Sequence, residues 1–375
     1  MPATRPDPVV PAYGGPCLTS VVPSLLDPDR AARDWMPAPV RDADQVVLFV
    51  LDGLGWEQLQ ERTALAPALS GLAGGPITSV APTTTATALT SITTGRPPAE
   101  HGVVGYRVRV GRRDVLNVLR WTTAAGDART RVLPEEFQPC EAFAGTKPPV
   151  VTRAEFAGTG FTRAHLPGTR LHGWRLPSAL VVGVRRQLEA GEPLVCAYYD
   201  GIDKTAHERG FGDYYDAEVV AADRLVGDLI AALPAGAALL VTSDHGQVQV
   251  DAKPVELPAA VAADVDFMSG EGRFRWLHAC PGAADRLAAA CHRLYDGVAW
   301  VRTRDEVVEG GWLGEALTPQ VAERLGDVAI VPFAPVAFLD PGDTGERSLV
   351  CRHGSLTTAE ALVPLLASAG VSGEG

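Results

Sequence analysis

Three short apolar segments, each followed at once by acidic residues, constrain the fold of this chain more than any other feature. They predict strands at Gln45–Leu51, Leu194–Tyr199 and Ala237–Thr242. Each is a nearly continuous apolar run, as expected for strands of a parallel sheet that helices cover on both faces. The stretch Tyr214–Leu233 has its apolar residues at helical spacing. Strands that alternate with helices in this way predict a doubly wound α/β fold with a mostly parallel sheet.

The sequence pattern divides the chain into four parts. Residues 1–42 are rich in proline and charge, and we expect them to form an irregular N-terminal extension. Residues 43–267 carry the core pattern, residues 268–340 predict a small α+β insert that could be ferredoxin-like, and residues 341–375 return to the core. The predicted elements of the insert are a strand at 272–279, a helix at 282–297, a strand at 298–303, a helix at Pro319–Leu325 and a strand at Val328–Phe333.

Composition excludes several classes of function. The 375 residues include 45 acidic and 33 basic side chains, a net charge of -12 that argues against binding of a nucleic-acid polymer. No segment has the length and apolar character of a signal peptide or a membrane span, so we expect a cytoplasmic protein without membrane contact. The six cysteines lie far apart and form no CxxC pair, so we expect inert thiols.

Carboxylates and imidazoles follow the predicted strands, where open α/β sheets bind their ligands. Two such residues four apart on a helix share one face, whereas two adjacent residues after a strand point to opposite sides. Each residue alone has an ordinary explanation, such as a helix cap or a surface pair, but their coincidence favours a site for two divalent ions. A mixed oxygen and nitrogen set suits zinc or manganese. The candidate ligands are Asp52, Asp203, His207, Asp244, His245 and His353.

The segment 82–102 (PTTTATALTSITTGRPPAEHG) predicts a helix that begins among threonines and ends at Gly95. A hydroxyl at such a helix start lies among unpaired backbone N–H groups, which bind phosphate oxygens well. Beside two divalent ions it can lose its proton and attack phosphorus. The alternative is that Thr83, Thr84 and Thr85 only cap the helix, an explanation that suits Thr83 best.

Together and in this order, the motifs resemble those of the alkaline phosphatase superfamily, and most closely its type I phosphodiesterase and nucleotide pyrophosphatase family. They are LDGLG at 51–55, the threonine segment at 82–102, DGIDKTAH at 200–207, SDHG at 243–246 and RHG at 352–354. The resemblance implies an alkaline phosphatase-like fold and two-metal hydrolysis of a phosphodiester or nucleotide pyrophosphate bond. It also implies a covalent phospho-threonine intermediate and a small phosphorylated substrate, such as a nucleotide.

The resemblance also implies a role for each candidate residue. Thr85 would be the nucleophile, because the family's threonine precedes the glycine that closes the same helix by the spacing that separates Thr85 from Gly95, and Thr84 is the second choice. The ion beside the nucleophile would be held by Asp52, Asp244 and His245, and the second ion by Asp203, His207 and His353.

One position departs from the family pattern. Where the phosphodiesterases place an asparagine that donates to a phosphate oxygen, this chain has Tyr106, whose hydroxyl could donate instead. Lys204, beside a predicted metal ligand, is a second candidate for substrate binding. Further candidates, for which a solvated surface is the more ordinary explanation, are Arg107, Arg109, Arg112 and Arg113.

The sequence also bears on other branches of the superfamily and on another class of function. The segment TTTATA lacks the modifiable residue and the Pro-x-Arg pattern of sulfatases, and the serine of cofactor-independent phosphoglycerate mutases has no match here. A phosphomonoesterase or phosphonate hydrolase of the same superfamily stays open. A non-catalytic protein that binds a phosphorylated ligand is the alternative from another class, although none of the six predicted ligands is missing.

Overall fold

The computed structural model of the chain describes residues 5–27, 29, 33–250, 253–343 and 345–370. The predictions for residues 1–4, 28, 30–32, 251–252, 344 and 371–375 lie outside the described residues. The helices are α1 (Leu18–Leu26), α2 (Ala38–Arg41), α3 (Trp56–Gln60), α4 (Pro67–Ser70), α5 (Thr85–Thr94), α6 (Pro98–His101), α7 (Pro134–Phe137), α8 (Gly160–His165), α9 (Pro177–Glu189), α10 (Gly201–Arg209), α11 (Asp213–Ala231), α12 (Ala259–Ala262), α13 (Ala284–Tyr295), α14 (Arg304–Glu309), α15 (Pro319–Ala322) and α16 (Thr358–Ala361). The strands are β1 (Gln45–Leu51), β2 (Ala73–Thr78), β3 (Arg107–Arg109), β4 (Val115–Asn117), β5 (Thr122–Thr123), β6 (Gly126–Asp127), β7 (Pro149–Arg153), β8 (Arg170–Trp174), β9 (Leu194–Tyr199), β10 (Ala237–Thr242), β11 (Val248–Gln249), β12 (Val265–Glu271), β13 (Phe274–Ala279), β14 (Ala299–Thr303), β15 (Val328–Pro332), β16 (Cys351–Arg352) and β17 (Leu362–Ala369).

A seven-stranded sheet in the order β2-β17-β10-β1-β9-β7-β8 forms the centre of the fold. The five strands from β10 to β8 run parallel, and β17 is antiparallel to both of its neighbours. The predicted α/β fold with a mostly parallel sheet is therefore confirmed. All three strands predicted from their apolar runs lie side by side in the middle of this sheet.

Helices bury both faces of β1, which explains its unbroken apolar sequence. Val47 and Phe49 belong to the apolar cluster on one face, which also holds residues of α9 and α11. Val46 and Leu48 belong to the cluster on the other face, which holds residues of α1, α2 and α5. Because alternate side chains enter two different clusters, every position of the strand must be apolar.

The expectation of an irregular N-terminal extension is wrong for the segment that forms α1. Its apolar residues enter the same cluster as the helix α5, and a Cβ at Gly95 would lie 2.4 Å from Pro23. Gly95 ends α5 in the left-handed conformation, with a φ of 66°. The proline-rich composition of the segment concealed apolar residues at helical spacing, namely Leu18, Val21, Val22 and Leu25.

The region after residue 264 forms a separate four-stranded antiparallel sheet in the order β12-β13-β15-β14. Each predicted strand and helix of the insert is present, within a few residues of its expected bounds. The strand β15 lies between β13 and β14, which the helix α13 connects. The sequence pattern missed β12, which pairs with β13 as a hairpin, and α14. The boundaries of the four sequence parts stay predictions.

Among the described residues, no helix has both the length and the apolar character that crossing a membrane requires.

Candidate active site

The carboxyl ends of three adjacent parallel strands bring the predicted acidic residues together. Asp52 follows β1, Asp203 lies in α10 directly after β9, and Asp244 follows β10. The backbone links the first two, because the Asp203 N–H donates to the Asp52 carbonyl oxygen at 3.1 Å. Gly53 is required here: its φ is +77°, and a Cβ would lie 2.9 Å from Cα of Asp203. The glycine of the LDGLG motif therefore permits the close approach of two carboxylates.

The first candidate ligand group consists of Asp52, Asp244 and His245, all of them buried. His245 Nε2 lies 3.5 Å from Asp52 Oδ1 and 3.4 Å from Asp244 Oδ2. Within the described part of the chain, these two carboxylate oxygens are buried and have no hydrogen-bond partner. Such orphaned oxygens are costly in a protein interior unless a cation satisfies them. The group therefore fits a metal ion.

The second candidate group adjoins the first. His207 Nε2 and His353 Nε2 lie 3.2 Å and 3.9 Å from Asp203 Oδ1. The Nδ1 atoms of the two imidazoles contact the carbonyl oxygens of Cys351 and Thr83, at 2.7 Å and 2.9 Å, which leaves each Nε2 facing the carboxylate. The ligand atoms of Asp203, His245 and His353 also lie within 4.8 Å of one another. His245 of the first group therefore lies close to the second group as well.

The electrostatics of the cluster favour a cation. Burial, followed by the negative charges of Asp244 and Asp203, raises the pKa of Asp52 well above its usual range. Burial also raises the pKa of Asp203, and burial and the neighbouring His245 lower the pKa of His353 well below its usual range. Carboxylates packed this closely repel each other unless a positive charge lies between them. Divalent ions would keep the carboxylates ionised and the imidazole neutral.

The helix α5 positions the predicted nucleophile against the first group. Thr84 is the N-cap residue and Thr85 the first residue of the helix, and Thr85 Oγ1 lies 3.1 Å from His245 Nε2. The N–H groups of the first helical turn lie at this end, as expected for a phosphate-binding helix start. Thr83 does not cap the helix through its hydroxyl, which donates to the Ser355 carbonyl oxygen at 2.8 Å and accepts from the Gly354 N–H at 3.0 Å. It thereby holds the loop that carries His353.

An apolar cavity of about 260 Å³ extends from this site between the sheet and α5. Asp52, Thr85 and Asp203 line its catalytic end. Leu89, one helical turn after the threonine, lines it together with side chains from β1, β7, α8 and β9. The lining is mostly apolar, so the cavity suits an apolar or aromatic group.

The two predicted substrate-binding residues lie in different places. Lys204 lines the same cavity as Thr85, and its Nζ lies 2.6 Å from Asp200 Oδ2. Tyr106 lines a second cavity beside the insert, and its hydroxyl accepts a hydrogen bond from Asn117 Nδ2 at 2.6 Å. The structure does not bring Tyr106 into the cavity that holds Thr85.

The arginines that follow Tyr106 also lie outside that cavity. Arg107 pairs with Asp340, and Arg113 with Asp266. Arg109 donates to the Gly111 carbonyl oxygen, and Arg112 lines another surface cavity. Arg112 and Arg113 are exposed, as the more ordinary explanation of a solvated surface requires, whereas the ion pair of Arg107 with Asp340 is largely buried.

Sequence reasoning missed two polar side chains that contact the candidate ligands. The Tyr198 hydroxyl donates to Asp52 Oδ2, and Gln247 Nε2 donates to Asp203 Oδ1 at 3.0 Å. Gln247 is fully buried and directly follows the SDHG motif. Tyr198 is one of two tyrosines that end the otherwise apolar strand β9. A buried amide and a hydroxyl beside metal-binding motifs were the available signals.

Fold and site together define a metal-dependent hydrolase of phosphoric esters. The chain belongs to the type I phosphodiesterase / nucleotide pyrophosphatase family, whose sequence profile matches residues 46–181 and 185–355. No curated protein sequence matches the chain significantly.

Solved structures share the fold at low sequence identity. Murine ectonucleotide pyrophosphatase / phosphodiesterase 5 superposes with a TM-score of 0.64 and 17% identity, over 86% of this chain and 87% of the murine chain. Its human counterpart gives a TM-score of 0.62 and 17% identity over the same shares. Phosphonoacetate hydrolase from Sinorhizobium meliloti, in complex with phosphonoformate, gives 0.60 and 17% over 89% of this chain and 92% of its own. The predicted alkaline phosphatase-like fold is confirmed.

Proposed function

We propose that this chain hydrolyses phosphodiester or nucleotide pyrophosphate bonds with two divalent metal ions and a covalent intermediate on Thr85. One observation carries the proposal: Thr85 Oγ1 lies at a helix N-terminus, 3.1 Å from a buried imidazole nitrogen. That nitrogen lies within 3.5 Å of two buried carboxylate oxygens that have no hydrogen-bond partner among the described residues. A hydroxyl beside such a group is placed to be activated as a nucleophile.

The donor sets fit two ions, with Asp52, Asp244 and His245 around one and Asp203, His207 and His353 around the other. Zinc is the metal that we propose, and manganese is also compatible with these oxygen and nitrogen donors. Bound there, the ions would neutralise the charge on the phosphate and lower the pKa of the attacking hydroxyl.

The chain's own residues then divide the reaction into two displacements. Thr85 Oγ1 releases its proton to solvent and forms a bond to phosphorus, while the bond from phosphorus to the leaving oxygen breaks and that oxygen departs as an anion that solvent can protonate. Backbone N–H groups in the first turn of α5 receive the charge that gathers on the phosphate oxygens. In the second step a water molecule gives up a proton and its oxygen bonds to phosphorus, while the bond from phosphorus to Oγ1 breaks and Oγ1 takes up a proton, which regenerates Thr85 and releases the phosphorylated product.

Two comparisons support this proposal. An inactive form of the murine protein, described in complex with AMP, carries a threonine-to-alanine substitution. The bacterial structures are described in complex with phosphonoformate and phosphonoacetate. Both relatives therefore bind small phosphorus-containing ligands, which agrees with a small phosphorylated substrate here.

Hydrolysis of a phosphomonoester or phosphonate is the second candidate, and Lys204 is the observation that favours it. Its ammonium group lines the cavity and is half exposed, so it could pair with the additional negative charge of a monoester. The Tyr106 hydroxyl, directed into another cavity, does not supply the donor that the phosphodiesterase pattern has at that position.

The zinc-reconstituted chain is expected to prefer a diester with an aryl group over the corresponding monoester. With p-nitrophenolate as the common leaving group, kcat/KM for the phenyl diester should exceed that for the monoester by about tenfold or more, because the phenyl group enters the apolar cavity. Leu89→Trp would fill part of the cavity and should reduce the preference for the phenyl diester. A diester that carries a methyl group in place of the phenyl group is the control, and its kcat/KM should change little.

The opposite result separates the candidates. If kcat/KM for the diester is well below kcat/KM for the monoester, the chain belongs among the monoesterases, with Lys204 as the residue that pairs with the additional charge of the monoester. A wild-type chain that holds its full complement of metal and hydrolyses none of these esters would favour the non-catalytic, ligand-binding alternative.

A further inference from the structure

Each of the candidate carboxylates has one oxygen held by a donor from the chain. Asp244 Oδ1 accepts from the backbone N–H groups of Gly53 and His245, at 3.1 Å and 3.0 Å. At Asp203 the donor is the side-chain amide of Gln247, and at Asp52 it is the hydroxyl of Tyr198, which donates to Oδ2. The other oxygen of Asp52, Oδ1, is buried without a hydrogen-bond partner in the described structure and faces His245.

The sheet fixes the position of this phenol. Tyr198 lies opposite Val50 in the parallel pairing of β9 with β1, two residues before Asp52. The Asp52 N–H donates to the carbonyl oxygen of Tyr199 at 2.9 Å, which holds the two strand ends together. The tyrosine ring packs against Phe156, with the ring centroids 6.1 Å apart. The hydroxyl is therefore held at the carboxylate by strand pairing on one side and ring packing on the other.

We propose that Tyr198 is a positioning residue that acts through Asp52: its hydroxyl occupies Oδ2 and thereby presents Oδ1 to the metal ion beside Thr85. A carboxylate that lacks such a donor can turn about its Cβ–Cγ bond or bind an ion through both oxygens. With one oxygen occupied by a hydrogen bond, a single oxygen remains for the ion, and coordination positions stay free for Thr85 Oγ1 and a phosphate oxygen. Partners of this kind fix the orientation of metal ligands and strengthen metal binding.

A second consequence follows from the location of Tyr198 in the wall of the apolar cavity. The same side chain contacts a metal ligand at its hydroxyl and borders the space for the ester group with its ring. Substitution by phenylalanine separates these two roles, because it removes the hydroxyl and keeps the ring.

Tyr198→Phe is expected to weaken the binding of one zinc ion by about 10- to 100-fold and to leave the other ion unaffected. The metal-free full-length chain would be titrated with zinc against a chromophoric chelator, which measures metal affinity without any substrate. In parallel, the zinc concentration that gives half-maximal activity should rise by a similar factor, while KM for a phenyl diester at saturating zinc stays near the wild-type value.

Tyr199→Phe is the matched control. The neighbouring hydroxyl donates to Glu218 Oε1 at 2.6 Å, away from the candidate ligands, so this variant should bind zinc as the wild type does. Tyr198→Met removes the hydroxyl in a second way and should reproduce the loss.

Equal zinc affinity in the wild type and in folded variants of Tyr198 would overturn the proposal. The inference rests on the proposed metal-dependent function, and the titration separates the two failures. A wild-type chain that binds no zinc contradicts the proposed function itself. If the wild type and the Tyr198→Phe variant both bind two ions with the same affinity, only the role of the phenol is contradicted.

Discussion

Replacing Thr85 by alanine is expected to lower kcat by at least about 10³-fold, because removing a nucleophile removes the route through the covalent intermediate. The metal content should stay at the wild-type level, since the candidate ligands remain in place. The free energy of unfolding should change by less than about 1 kcal/mol, as the substitution keeps a good helix former in the first turn of α5. Steady-state hydrolysis of a chromogenic diester, with zinc measured on the same samples, checks all three statements.

Thr84→Ala is the control that the chain itself offers. Thr84 is the adjacent N-cap residue, and its side chain makes no capping hydrogen bond. We expect its replacement to lower kcat by less than about tenfold, which corresponds to less than about 1.4 kcal/mol in the activation barrier. If Thr84→Ala is inactive and Thr85→Ala is not, the nucleophile is the second candidate instead.

Removal of the metal ions is expected to abolish activity and to destabilise the fold. The cluster buries Asp52 and Asp244 within reach of one imidazole, and burial and like charges already raise the pKa of Asp52. Without a cation, the chain must protonate these groups or bear their repulsion. The chelated chain should retain less than about one thousandth of the activity. Zinc at a hundred times its dissociation constant should restore activity and stabilise the fold by about 2.7 kcal/mol for each ion bound.

Asp244→Asn should reproduce the loss of activity and bind less zinc. Asp223→Asn is its matched control, because Asp223 is also buried but accepts hydrogen bonds from the N–H groups of Ala68 and Leu69 at the start of α4. Its replacement should lower the free energy of unfolding and leave the zinc content unchanged. Full activity of the chelated wild type would contradict the metal-dependent account.

The sequence predicted the centre of the fold well, for a physical reason. A strand such as β1, buried on both faces, requires an unbroken apolar run, and a helix such as α11 requires apolar residues at a period of 3.6. Both signals are local, so they can be read without knowing the neighbours. The order of the strands follows from the fold family rather than from these local patterns.

Other features depend on contacts between distant segments, and local patterns do not record them. Burial of α1 depends on its packing against α5, and the prolines of the N-terminal segment concealed it. The sequence favours Thr83 as a helix cap, yet its hydroxyl donates to the carbonyl oxygen of Ser355, which lies 272 residues further along the chain. The contact of Tyr198 with Asp52 joins the ends of β9 and β1, which are 146 residues apart. Such contacts become visible only when the sheet is assembled.

The stereochemistry at phosphorus tests the central claim most directly, since it reports whether the reaction passes through a covalent enzyme. The substrate would be a phosphodiester made chiral at phosphorus with sulfur and labelled oxygen, and phosphorus NMR would give the configuration of the product. Attack by Thr85 followed by attack of water inverts phosphorus twice, so we expect net retention. Net inversion would show a single displacement by water and would contradict the assignment of Thr85 as the nucleophile.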